Sequence, residues 1–148
     1  MNKTQIIILL VLVSAGAIAS YVYSQFARKN EDLAHATPDL RITSSDLIRS
    51  FETDEKQANE KYLDKIVAVT GKVKDINKDE KGYYTLVLGD ENAMSSVRCS
   101  MDTSHAQSLA LVHAGYHVTI TAACTGFNAD ELLGSDVILN RGVVVSNN

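Results

Sequence analysis

Five stretches of this chain alternate apolar and polar residues, and a helical period interrupts them once; that order leaves few folds open. Ile66 to Asp75 puts Val67, Val69 and Val73 on one side and Thr70, Lys72 and Lys74 on the other. Tyr83 to Leu88 does the same with Tyr84, Leu86 and Leu88, and Ser95 to Met101 with Val97, Cys99 and Met101. A two-residue period is the signature of a half-buried strand. Ser104 to Ala114 then changes to a spacing near 3.6, with Ala106, Leu109, Ala110 and His113 on one face and Gly115 as its stop. Alternation returns in Tyr116 to Gly126, where Val118, Ile120, Ala122 and Cys124 share a side, and in Asp136 to Val145. Gly71 falls on the inward phase of the first strand, which predicts a bulge or a tight bend there.

Ahead of the strands, Thr43-Ser44-Ser45-Asp46 offers hydroxyls and a carboxylate to the free N–H groups of a helix start. Leu47, Ile48, Phe51, Ala58, Tyr62 and Leu63 then recur at helical spacing and predict one buried face. The opposite face carries Glu52, Asp54, Glu55, Lys56, Glu60 and Lys61 and reads as a solvated side. The expected fold class is mainly β with two helices. Three strands, a helix and two more strands is the plan of the five-stranded OB barrel. An amphipathic helix and an amino-terminal transmembrane or signal helix precede that barrel.

The amino-terminal expectation comes from Ile6 to Val22, a run without a charged residue that follows Lys3 and precedes Arg28 and Lys29. Spanning a bilayer takes roughly 17 to 25 apolar residues. As an uncleaved anchor the run extends to Tyr23, with Tyr21 and Tyr23 as interfacial aromatics. As a cleaved signal it ends at the small-residue site Ala17-Ile18-Ala19. Both place the remainder outside the cytosol, membrane-anchored in the first case and secreted in the second. The domain plan is therefore 1–23 for the segment, 24–41 for a polar linker with the single proline, and 42–148 for the barrel domain.

All 18 acidic residues follow Asn30, whereas three of the 14 basic residues precede it, so the rest of the chain carries a formal charge of −7. Phosphate neutralisation supplies most nucleic-acid affinity, and that balance makes nucleic acid an unfavoured partner. The two cysteines, Cys99 and Cys124, both sit on inward phases. They can pair in an oxidising compartment or remain two buried thiols. The four histidines are scattered at 35, 105, 113 and 117, so no metal or cofactor is expected. Neither a Gly-x-Ser-x-Gly elbow nor a glycine-rich phosphate loop occurs. Asp90-Glu91 and Asp130-Glu131 fall in turns, where solvation accounts for them. The chain is not expected to be an enzyme.

The stretch from Ala58 to Val73 resembles the opening of the tRNA_anti-like family of OB-fold proteins. So do Val97 to Met101, Gly115 to Ile120 with Cys124-Thr125-Gly126, and Asp136 to Asn140. The resemblance covers about Ile42 to Val145 and implies a small bacterial OB domain behind an apolar amino-terminal segment. The family name marks a distant similarity to anticodon-binding domains and does not imply tRNA binding. Thr121-Ala122 stands where the resemblance leads one to expect Lys-Gly, which removes a basic residue from an outward position. Arg141-Gly142 replaces a pair that often ends in cysteine.

OB barrels usually bind through the outward face of their first three strands. Here that face would present Thr70, Lys72, Lys74, Tyr83, Thr85, Val87, Ser96 and Arg98, of which Lys72, Lys74, Tyr83, Thr85 and Arg98 are the candidate ligand contacts. The expected function is a membrane-tethered extracytoplasmic binding module for a protein or a saccharide. The alternative is a nucleic-acid-binding OB domain, using stacked aromatics in a positive groove.

Overall fold

The computed structural model describes residues 5, 14, 16–20, 32–130 and 132–147. The chain divides into two units, Met1–Glu31 and Asp32–Asn148. In the first, residues 5, 14 and 16–20 are helical, and the other residues of the segment 1–23 read as an anchor or signal lie outside the described residues. Among the described residues no helix is long and apolar enough to cross a membrane.

The second unit opens with strand β1 (Leu40–Thr43), which lay across the boundary between linker and domain in the sequence plan. It pairs in parallel with β2 (Ile66–Lys78), matching Leu40 to Val67 and Thr43 to Thr70. Four residues are too few for periodicity to announce. The Asp39 carboxylate and carbonyl-seeking N–H fix the start, accepting from the Ile66 N–H and donating to the Ile66 carbonyl.

One continuous helix was expected from Thr43 to Leu63, and the chain makes two. Helix α1 (Ser44–Thr53) begins at Thr43, whose Oγ1 accepts from the Asp46 N–H at 3.1 Å. Helix α2 (Glu55–Tyr62) begins at Asp54, which sits in extended backbone (φ −153°, ψ 92°) with its carboxylate accepting from the Gln57 N–H at 3.0 Å. A side chain that bonds its own local backbone competes with the helix interior, and here the break wins. Leu47, Ile48 and Phe51 from α1 and Ala58 and Tyr62 from α2 are buried as expected, but Leu63 is turned out at the α2 end. Phe51 stacks on Phe127 with ring centres 5.0 Å apart and leans on Tyr62 at 6.0 Å.

Strands β3 (Tyr84–Leu88) and β4 (Ser96–Met101) follow, then a 3₁₀ helix (Thr103–Leu111), β5 (His117–Asn128) and β6 (Asp136–Asn147). The barrel closes in the order β2-β3-β4-β6-β5 and back to β2, with β4 and β6 parallel and the other neighbours antiparallel. Strand β2 is long enough to serve both sides of the closure. Its first half, Ile66 to Lys72, pairs with β5, and its second half, Val73 to Lys78, pairs with β3. This is the five-stranded OB topology, and the predicted inward residues line its core, among them Val67, Val69, Leu86, Val97, Cys99, Ile120 and Cys124.

Two local expectations change. Gly71 makes no bulge; it pairs with Val118, and the register shift falls between Val73 and Asp75. Gly71 instead admits Ser44, since a Cβ there would lie 2.8 Å from the Ser44 Cβ. The stretch read as an α-helix from Ser104 to Ala114 is 3₁₀, capped by Asp102 and distorted at His105 (φ −116°, ψ 16°). Leu109 of the predicted face is buried, together with the capping Val112 three residues on, whereas Ala110 and His113 are exposed. A three-residue turn eclipses positions i and i+3, which explains the new phase.

Candidate functional site

The outward face of β2, β3 and β4 carries the predicted cations, and each is engaged by the protein itself. Lys72 Nζ donates to Glu91 Oε1 at 2.8 Å. Lys74 Nζ donates to the Ala93 carbonyl. Arg98 Nε donates to Asp136 Oδ2 at 2.6 Å, and the Ser96 hydroxyl donates to Asp136 Oδ1 at 2.5 Å. Lys72 and Lys74 thus both hold the β3–β4 loop, and the Gly89 N–H bonds back to the Lys72 carbonyl at 3.0 Å. The structure differs from the alternation here: Val87 and Ser96, both assigned outward, are buried, Ser96 with its hydroxyl on Asp136. Thr121, likewise assigned outward on β5, is buried as well.

The remaining predicted contacts lie apart from these. Tyr83 is half exposed at 53 %, in the β2–β3 turn where its N–H donates to Asp79 Oδ1. Six residues separate it from Gly89, which at about 3.4 Å each places them roughly 20 Å apart along β3. Thr85 is half-buried between Asn77 and Ser100. Thr70 faces β5, sharing a hydroxyl hydrogen bond with Thr119 at 2.9 Å. Tyr83 lies at the far end of the face from Lys72 and Lys74, on the side of Lys81 and of Lys78, which stands over the Tyr84 ring, so the predicted contacts do not gather into one groove.

Electrostatically the face is closed on itself. The Lys72 hydrogen bond and charge hold the Glu91 carboxyl below its usual range. Sequence reasoning passed over Glu91 and Asp136 as solvated turn or strand-end residues. Only their spatial pairing across 19 and 38 residues reveals them.

Both cysteines are buried and free. Each stands opposite Leu139, Cys99 on β4 and Cys124 on β5, so β6 runs between them. Two strand spacings are about 9–10 Å, beyond the roughly 7 Å across which a disulfide joins two Cα atoms. Of the two states open from sequence, the structure therefore has the thiols. Burial pushes the Cys99 thiol up to about 12 and the Cys124 thiol up to about 11, so neither is a nucleophile at neutral pH. Among the described residues no three His, Cys, Asp or Glu side chains come together as metal ligands. His105 Nε2 lies 3.5 Å from Asp32, and His113 meets Tyr116 edge-on.

Clefts among the described residues include the following three. One of about 320 Å³ lies between α1 and α2 and includes Arg49, Gln57, Lys61 and Tyr62. A second, about 230 Å³, lies between α1 and the β3–β4 loop, with Ile48, Glu52, Asp90 and Met94 in its walls. The third, about 220 Å³, separates the 3₁₀ helix from Ile76 and Tyr84.

The tRNA_anti-like family model matches residues 1–138. No curated protein matches the chain. Among solved structures, it is similar to a Klebsiella pneumoniae lipoprotein with a provisional nucleic-acid-binding assignment, at 18 % identity and a TM-score of 0.56, covering 72 % of this chain and 92 % of that one. A provisionally identified aspartyl-tRNA synthetase from Leishmania major matches at 14 % identity and a TM-score of 0.46, covering 82 % of this chain and 22 % of that one. The asparaginyl-tRNA synthetase of Entamoeba histolytica matches at 13 % and 0.45, covering 76 % and 25 %. At 18 % identity the likeness to the Klebsiella protein concerns the fold alone.

Proposed function

The chain belongs to the tRNA_anti-like family, and we propose that it is a membrane-tethered extracytoplasmic OB module that binds a protein or a saccharide. One observation carries the choice of ligand class: Lys72, Lys74 and Arg98 are each committed to a carboxylate or carbonyl of the same chain. A phosphate backbone would have to displace Glu91, the Ala93 carbonyl and Asp136 to engage these three cations. The charge of −7 after Asn30 acts in the same direction. Tethering and location rest on the uncharged run from Ile6 to Val22. The role is binding, without a catalytic step.

The alternative, nucleic-acid binding, draws on the provisional assignment of the Klebsiella lipoprotein. Titrating a labelled single-stranded oligonucleotide into the full-length chain separates the two. Non-specific DNA binders reach about 10⁻⁴ to 10⁻⁶ M at physiological salt, and this chain is expected to bind more weakly. A micromolar complex weakened by Lys72→Glu or Tyr83→Ala would replace the protein-or-saccharide reading with the alternative. Reporter fusions at the carboxyl terminus test the location; a cytosolic barrel would refute the extracytoplasmic part.

A further inference from the structure

We infer that the paired β3–β4 and β5–β6 loops form a docking surface for a protein segment bearing an apolar anchor flanked by lysine or arginine. The inference rests on the protein-binding reading above and assigns it a surface. Leu132 and Leu133, consecutive in the β5–β6 loop, are 82 % and 77 % exposed, and Met94 in the β3–β4 loop is 62 % exposed. The two loops touch: a Cβ on Gly134 would overlap the Met94 backbone and stand 2.7 Å from the Met94 Cβ. Large aliphatic side chains grouped in this way mark interaction sites more often than scattered ones do.

The exposure is built into the backbone. The Leu132 and Leu133 N–H groups both donate to Asp130 Oδ1, at 2.8 and 2.9 Å. The Ser135 N–H donates to Ser95 Oγ at 3.1 Å, and the Ser96 N–H donates to the Ser135 carbonyl at 3.0 Å. Those bonds hold the leucines outward before any partner arrives, so little ordering entropy remains to be lost on binding. Beside the leucines, Met94 continues into the cleft of about 230 Å³ where Ile48 and Ala93 supply further apolar wall.

Charge selects the partner. Carboxylates border this surface at Glu52, Asp90 and Asp130. Of the nearby cations, Arg49 lies 3.3 Å from Asp46, Lys72 is paired with Glu91 and Lys74 donates to the Ala93 carbonyl, so Glu52, Asp90 and Asp130 together outweigh the one cation without a carboxylate partner. The two N–H groups on Asp130 hold its carboxyl below the usual range, so it stays ionised. An anionic bilayer or a second copy of this chain would bring negative charge against negative charge, whereas a basic apolar segment is complementary.

The test replaces Leu133 with the photo-crosslinking residue p-benzoyl-phenylalanine in the full-length chain in cells. Lys81, exposed in the turn at the other end of β3, carries the same group as the control. The expected result is an adduct at position 133 and not at 81, mapping to a protein segment with an apolar residue flanked by Lys or Arg. A synthetic peptide of that segment should bind the full-length chain. Its affinity should fall about tenfold in Leu132→Ser. It should fall, with a flatter salt dependence, in Asp130→Asn, which keeps the loop's acceptor but removes its charge. Adducts to lipid, to a second copy or to an acidic segment, or none above the control, would overturn the inference. Oligonucleotide binding through Lys72 would remove the broader reading without altering the adduct at 133, so the two failures are distinguishable.

Discussion

At the scale of single residues, the two thiols show what strand phase can and cannot fix. Alternation put Cys99 and Cys124 on the inward side, and both are fully buried. Phase carries no information about which strands become neighbours; the placement of β6 between the two cysteines is what separates them. Gly142 packs against Cys99 so closely that a Cβ there would collide with the sulfur. The thiols also give the chain a specific alkaline sensitivity. Their ordinary value is 9.0, and burial raises Cys99 to about 12 and Cys124 to about 11. The unfolded chain therefore releases these protons first as pH rises. Their contribution to stability is complete below about pH 9 and is lost progressively toward about pH 11 to 12. Cys99→Ala should lose some stability at every pH through its cavity, yet show a shallower decline of urea-unfolding free energy above about pH 9. An unchanged alkaline slope would mean that the Cys99 thiol ionises as freely folded as unfolded. Both thiols should also resist a thiol reagent until the chain is denatured.

At the scale of elements, what was legible depended on length and period. The long strands β2, β5 and β6 each carry enough alternating positions to be read directly, and the apolar face of α1 and α2 was equally plain. Strand β1 was too short, and the 3₁₀ helix has a period that apolar spacing alone does not distinguish from 3.6 over nine residues. The break between α1 and α2 was missed for a different reason. Asp54 looks like one more charged residue on a solvated face, and only its backbone shows it to be a cap. Asp54→Ala should therefore destabilise the chain by about 0.5–2 kcal/mol, the usual cost of losing an N-cap. Asp54→Asn should retain most of the stability, because the amide oxygen can still accept from the Gln57 N–H. Urea midpoints give the magnitude, and hydrogen exchange should quicken first at the α2 amides. Equal stability in wild type and Asp54→Ala would assign the break to packing against β2 and β5 instead of the cap.

At the scale of the whole molecule, closure of the barrel depends on one seam that local sequence does not announce. Strands β4 and β6 are parallel, 38 residues separate Arg98 from Asp136, and the seam starts at the Ser96–Asp136 pair. OB topology predicts that pairing, but not the polar clamp at its mouth. Asp136, 20 % exposed, receives Arg98 on one carboxylate oxygen and Ser96 on the other. Lys72 and Glu91, by contrast, pair in a solvent-accessible position on the loop. The two ion pairs should therefore behave differently although both lie on the same face. Asp136→Asn leaves one acceptor for two donors and should cost about 1–3 kcal/mol, the usual range when a shielded polar group loses its partner. Lys72→Met removes an exposed pair and should cost less than about 1 kcal/mol. Urea unfolding of the two variants, at low and at high salt, measures the contrast. Salt should erase most of the Lys72→Met effect and little of the Asp136→Asn effect, since shielded pairs are screened less. If Lys72→Met proved the more costly, the β3–β4 loop rather than the β4–β6 seam would be what holds the barrel shut.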